Sequence, residues 1–350
     1  MRFIVLALAG LLLAHNGASA QNAKPARTNL TNLLEAEAAR FSGLAGVYVK
    51  HIPSGEEAAV RGDVHFNSAS TIKMAIMVLA YRLVDQKKLN LDQRHELKLA
   101  DYRGGSGILR YKDPGLKLTI RDIITQMTVT SDNTATDLMI HYVGGTPAVN
   151  AFLKEQGFKD MRLVSTVGES FRARAFELLD PKYKSLSMEE VYALGTDDVR
   201  WTAPRRELIE RINAEAKAKN LPALTRKLGA LDENTWLGVA TPNEMGRLLV
   251  GIETATLVSS KSAEDIKRIM RAQISGARKL PQFLDVPVAH KTGEREGITN
   301  DVGMIYAKSG PIVIAVYNMG YTGNSGEADD RIAYVGKVVV DYFDGPAANE

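Results

Sequence analysis

Cysteine is absent from all 350 residues. That excludes a thiol nucleophile, a thiolate metal site and a disulfide framework, although an exported chain would be permitted disulfides. Histidine is scarce: the six, at 15, 51, 65, 95, 141 and 290, form no H-E-x-x-H and no other tight ligand pair. A zinc hydrolase is therefore disfavoured, and neither a metal nor a cofactor is expected. Excess charge of one sign is also lacking. The formal net charge is +3, with no long like-charge run and no basic stripe interleaved with aromatics, which argues against a nucleic-acid partner. The apolar run Phe3–Leu13 is too short to span a bilayer comfortably. It follows Arg2 and precedes Ala18-Ser19-Ala20, the three parts of a secretory signal peptide. Residues 1–20 are therefore expected to be removed after Ala20, leaving a secreted or periplasmic protein with no stable membrane anchor.

What remains has the composition of a soluble enzyme, 45% apolar and 24% charged. Its length suits one large domain or two intimately packed ones. Helical spacing predicts helices over 33–41, 71–89, 120–127, 134–142, 146–155, 205–219, 243–252, 263–272 and 328–342. Strands are expected at 46–49, 58–61, 301–306 and 312–319, with turns at Pro53-Ser54-Gly55 and Lys308-Ser309-Gly310-Pro311. Strands thus sit at both ends and helices in the middle. That order predicts an α/β (α+β) unit from about 28–65 and 247–345, with a helical part, about 66–246, inserted between.

Three short motifs carry chemistry. Ser70-Thr71-Ile72-Lys73 is the one S-x-x-K, and it opens a predicted helix. Ser70 and Lys73 would share a face there, beside free N–H groups and the positive end of the helix dipole. A serine hydroxyl needs a base, and a desolvated lysine beside another cation can have its pKa lowered enough to serve. Taken alone, the motif reads equally well as a serine cap with a solvated lysine one turn on. Ser131-Asp132-Asn133 precedes a helix and Lys291-Thr292-Gly293 lies near the C-terminal strands. Alone, the one could be a helix cap and the other an edge strand or turn.

Together, in this order, the three resemble the signature of class A β-lactamases and penicillin-binding proteins. Phe66-Asn67-Ser68-Ala69, the Gly104–Leu109 loop, Gly144-Gly145, Phe152–Gly157, Thr241–Met245 and Asn300–Gly303 extend the resemblance over most of residues 28–345. It implies the serine β-lactamase/D-Ala-D-Ala-peptidase fold, an antiparallel sheet flanked by helices with an all-helical subdomain inserted. It also implies roles. Ser70 would be acylated, and Lys73 would take its proton. Ser131 would protonate the leaving nitrogen, while Asn133 holds the substrate amide. Lys291 and Thr292 would meet a substrate carboxylate, with Gly293 completing the substrate-binding motif and Arg295 assisting. The amides of Ser70 and Glu294 would form the oxyanion hole.

The resemblance fails at deacylation. Aligned from Met161-Arg162-Leu163, the family's water-activating glutamate falls on Val167 and its asparagine partner on Phe171. Glu169 is the nearest carboxylate and becomes the expected base, with Glu177 and Asp180 behind it. Residues 172–237 read as an insertion, inside which Asp197–Pro204 offers a competing anchor for the end of the loop. The expected activity is β-lactam hydrolysis through acyl-Ser70, by a monomer. The alternatives are a D-alanyl-D-alanine peptidase or esterase acting on a peptidoglycan-like acyl-D-amino acid, or a slowly deacylating sensor.

Overall fold

The apolar run Ile312–Tyr317 becomes the centre of a five-stranded antiparallel sheet in the computed structural model, which describes residues 29–178, 180–192 and 233–345 and scattered positions between 207 and 219. The sheet's strands are β1 (Leu44–His51), β2 (Glu57–Val60), β8 (Val288–Arg295), β9 (Ile298–Ala307) and β10 (Gly310–Met319), in the order β2-β1-β10-β9-β8. Period-two alternation sends successive side chains of β10 into two cores. Ile312, Ile314 and Val316 join Val47 and Val49 beneath helix α1 (Leu30–Ala38) and the C-terminal helix Ser325–Asp344. Val313, Ala315 and Tyr317 join Tyr48 on the other face, under the helices Pro242–Glu253 and Ser260–Arg271. A strand buried on both faces shows no polar alternation, which is why its sequence is continuously apolar. Each such side chain contributes about 1.5–3 kcal/mol.

The helical part is threaded between β2 and β8. It comprises α2 (Lys73–Asp85), α3 (Ile120–Val129), α4 (Asn133–Tyr142), α5 (Gly145–Glu155), α6 (Val167–Leu178) and α7 (Met188–Val191). Two small sheets brace it. One pairs β3 (Phe66–Asn67) and β6 (Arg162–Leu163) on either side of β7 (Gly238–Ala240), and the other joins β4 (Arg94–Glu96) to β5 (Lys117–Thr119). Helix α2 is the hub, with every residue from Lys73 to Tyr81 buried. A helix apolar all round belongs in a core, so its single buried cation stands out.

Most expected elements are present with shifted ends: the 33–41 helix is Leu30–Ala38 and the 46–49 strand is Leu44–His51. The two small sheets went unread, because strands of two or three residues carry no period. Within the expected 205–219 helix, residues 207, 210, 211, 214, 215, 217 and 218 are helical and 219 is a turn. The expected leader, residues 1–20, and Asp197–Pro204 lie outside the described residues.

Candidate active site

The nucleophile motif is held by two sheets at once. β3 pairs with β7, and Asn300 Nδ2 reaches back from β9 to Asn67 O and Ser68 O at 2.9 and 3.2 Å. Ala69 is left with φ 45°, a left-handed value strained for a residue with a Cβ. Ser70 does not open an α-helix as expected. It lies in a 3₁₀ turn, Ala69–Ile72, and α2 begins at Lys73. Opposite runs β8, close enough that a Cβ on Gly293 would sit 2.6 Å from Ser68 O and 3.2 Å from Ser70 N. Only glycine lets that strand's backbone come alongside the Ser70 amide.

Two lysines converge behind the cleft. Lys73 is 1% and Lys291 0% exposed, and each places Nζ 3.1 Å from Ser131 Oγ. Lys73 also donates to Ser131 O at 2.7 Å and Asn133 Oδ1 at 3.3 Å, and Lys291 to Thr292 O at 2.9 Å. Burial brings the Lys73 ammonium down from 10.5 to about 7, against the opposing pull of Asp132 and Asp137. Burial and then the Lys73 charge hold Lys291 well below the ordinary lysine value. Ser131 itself has φ 54°. Two donors on its oxygen leave its own proton for something else in the cleft.

Asp132 caps α4 through Ala135 N at 2.9 Å and accepts from Leu109 N at 2.8 Å. A Cβ at Gly107 would overlap its carboxylate at 2.2 Å, which requires the glycine in this loop. Asn133 Nδ2 donates to Gly104 O at 2.9 Å. The far wall hangs from Asp137, whose carboxylate accepts from Val167 N and Gly168 N, the first amides of α6, at 2.7 and 3.0 Å. The same carboxylate pairs with Arg103 Nε at 2.6 Å, and Arg103 Nη1 holds Ala100 O and Tyr102 O.

Ser70, Ser131, Asn133, Thr292, Glu294 and Arg295 all border one cleft of about 340 Å³. Two expectations need correction. Glu169 is exposed, and its carboxylate accepts from Thr166 N at 2.9 Å while Thr166 Oγ1 accepts from Glu169 N. This reciprocal cap begins α6 and turns the carboxylate out of the cleft, because helical geometry presents Val167, Ser170 and Phe171 inward instead. Asp180 caps its own turn at Lys182 N, and the Glu177 side chain lies outside the described residues. Arg295 is also misassigned. Strand alternation sends it away from Thr292, and it donates to Thr235 O and Ser170 Oγ at 3.4 and 3.2 Å. What meets Thr292 Oγ1 is Ser275 Oγ at 2.8 Å and Gln273 Nε2 at 3.4 Å. These two residues lie in an irregular stretch with no motif, so no sequence signal marked them.

A sheet flanked by helices, with a buried lysine pair and two serines at one cleft, defines the class of serine acyl-transfer hydrolases. The model of the Beta-lactamase enzyme family matches residues 26–343, and the chain belongs to that family. It is 24% identical over 328 residues to β-lactamase VEB-1 of Pseudomonas aeruginosa, covering 90% of this chain and 89% of the relative. Its fold matches a β-lactamase from Sphaerobacter thermophilus with TM-score 0.65 and 24% identity, over 89% and 95% of the two chains. It also matches a PBP-A mutant solved as an acyl-enzyme complex with penicillin G, with TM-score 0.66 and 22% identity, over 92% and 99%.

Proposed function

We propose that this β-lactamase-family chain opens the β-lactam amide through an acyl-Ser70 ester that it then hydrolyses slowly. The observation that carries the reading is the pair of buried lysines meeting at Ser131 Oγ beside Ser70. With a pKa near 7, Lys73 is substantially an amine at neutral pH and accepts the Ser70 proton as Oγ attacks the lactam carbonyl. The Oγ–C bond forms, the C–N bond breaks, and the nitrogen takes the Ser131 proton, which Lys73 replaces. The amides of Ser70 and Glu294 hold the oxyanion, each such donor lowering the barrier by roughly 3–4 kcal/mol. The leader-like first twenty residues support a site of action outside the cytoplasm, where β-lactams arrive.

A specific observation favours slow deacylation. Among the described residues, the wall facing the ester offers Val167 and Phe171 and one hydroxyl, Ser170, already engaged by Arg295. Among those same residues, Lys73 remains as the base for the incoming water. A chromogenic cephalosporin should give a burst of about one equivalent and then a slower steady state, with an adduct on Ser70 by mass spectrometry. Ser70→Ala should abolish both. Labelling that survives Ser70→Ala would remove the central claim, and a parent that neither bursts nor forms an adduct would point to another acyl substrate.

A further inference from the structure

The alternation that turns Arg295 away from Thr292 turns Glu294 toward it. Residues two apart on a strand project the same way, about 7 Å apart, so His290, Thr292 and Glu294 form a row along β8. Each meets its own partner. His290 Nδ1 meets the Asp301 carboxylate at 2.9 Å, Thr292 meets Ser275, and Glu294 Oε1 meets Lys279 Nζ at 2.5 Å. The Lys279 side chain is 0% exposed and its second carboxylate is Asp329, at 3.7 Å. One buried cation thus faces two carboxylates. Of these two, Glu294 borders the cleft, with 56% of its side chain exposed.

The position of that carboxylate matters for what the cleft accepts. With Ser131 protonating the leaving nitrogen, Thr292 would lie beside the carboxylate that a β-lactam carries next to that nitrogen. Glu294, one pleat further along the same face, therefore flanks the ring substituent adjacent to the carboxylate. Among the described residues, the other charged side chain bordering the cleft, Arg295, is directed across it at Ser170 and Thr235. Lys73 and Lys291 are buried behind Ser131.

We propose that Glu294 determines leaving-side specificity, so that the cleft prefers β-lactams bearing a cationic substituent there over those bearing a neutral one. The proposal rests on lactam acylation of Ser70. Two cephalosporins with the same acylamino side chain test it, one carrying a pyridiniomethyl group at the relevant ring carbon and the other an acetoxymethyl group. The quantity read is the ratio of their second-order acylation rates, followed by adduct formation. Opposite charges about 6 Å apart across a half-wet cleft amount to roughly a tenfold effect. Glu294→Gln should therefore lower the cationic-to-neutral ratio about tenfold, and Glu294→Lys should lower it further. The unmodified protein provides an independent readout, needed if the variants fail to fold. Its ratio should fall severalfold as salt rises from about 0.02 M to about 0.5 M, because the carboxylate is solvent-accessible. A ratio unmoved by both substitution and salt would overturn the proposal while leaving Ser70 acylation intact. Failure of both compounds to acylate Ser70 would instead sink the reading beneath it, and the proposal with it.

Discussion

Replacing Lys73 with methionine should strengthen the fold while ending acylation. The drop from 10.5 to about 7 means that folding forces a proton off this group or buries its charge. At 1.36 kcal/mol per pKa unit that penalty approaches 5 kcal/mol, of which about 4 kcal/mol is felt at pH 7. Methionine keeps the length and volume but not the amine. Three hydrogen bonds are lost, yet no acceptor is orphaned. Ser131 O keeps the Ser106 hydroxyl at 2.7 Å, whose single proton Asn133 Oδ1 shares at 3.3 Å, and Ser131 Oγ keeps Lys291. Allowing about 1 kcal/mol for each of the three bonds, the net gain at pH 7 is about 1 kcal/mol. Its pH dependence is diagnostic. The folded pKa lies below the unfolded one, so between about 7 and 10.5 the unfolded chain holds the extra proton. Parent stability therefore climbs with pH through that window. The Lys73 penalty falls by about 3 kcal/mol between pH 7 and about pH 9.5, so the variant's advantage should reverse to a deficit of about 2 kcal/mol. Loss of the Lys73 charge also relieves the repulsion on buried Lys291, which acts in the variant's favour at pH 7. Urea unfolding of both at the two pH values decides the matter. A variant less stable than the parent at pH 7, or a gap that ignores pH, would refute the reasoning.

Two further outcomes concern the deacylation wall. Glu169→Gln should leave both burst and steady state unchanged and lower stability by about 0.5–1 kcal/mol through the weakened α6 cap, since its carboxylate faces solvent; a steady-state rate that falls severalfold in stopped-flow assays would restore it as a base. Val167→Glu puts a carboxylate into the apolar wall and should raise steady-state turnover at least tenfold at some loss of stability, whereas an unchanged acyl-enzyme lifetime by mass spectrometry would show that water access, not basicity, limits the second step.

The parts that were legible in the sequence were those in which chemistry demands particular residue types at short spacing. Ser70, Lys73, Ser131 and Lys291 announced themselves in tripeptides and tetrapeptides, and the cleft gathers all four neighbourhoods. The fold was legible because the apolar stretch Ile312–Tyr317 and the helical periods around it are long. What failed was direction. Glu169 sits two residues from the position that matters, but a helix rotates about 100° per residue, and two steps turn a side chain from the cleft to solvent. Arg295 failed for the strand's version of the same reason, since one step reverses the face. Lys279 was invisible, because nothing in a run of mixed polarity says that one lysine will be fully enclosed beneath a carboxylate nearly at the active site.

Asp137 joins the two walls of the cleft. The loop through Arg103 and Gly104 carries one side, the start of α6 carries the other, and a single carboxylate grips both. The width of the cleft is therefore one variable rather than two: a bulky acyl group that pushes the first turn of α6 outward pulls the same carboxylate from Arg103, and the opposite wall loses its anchor in the same movement.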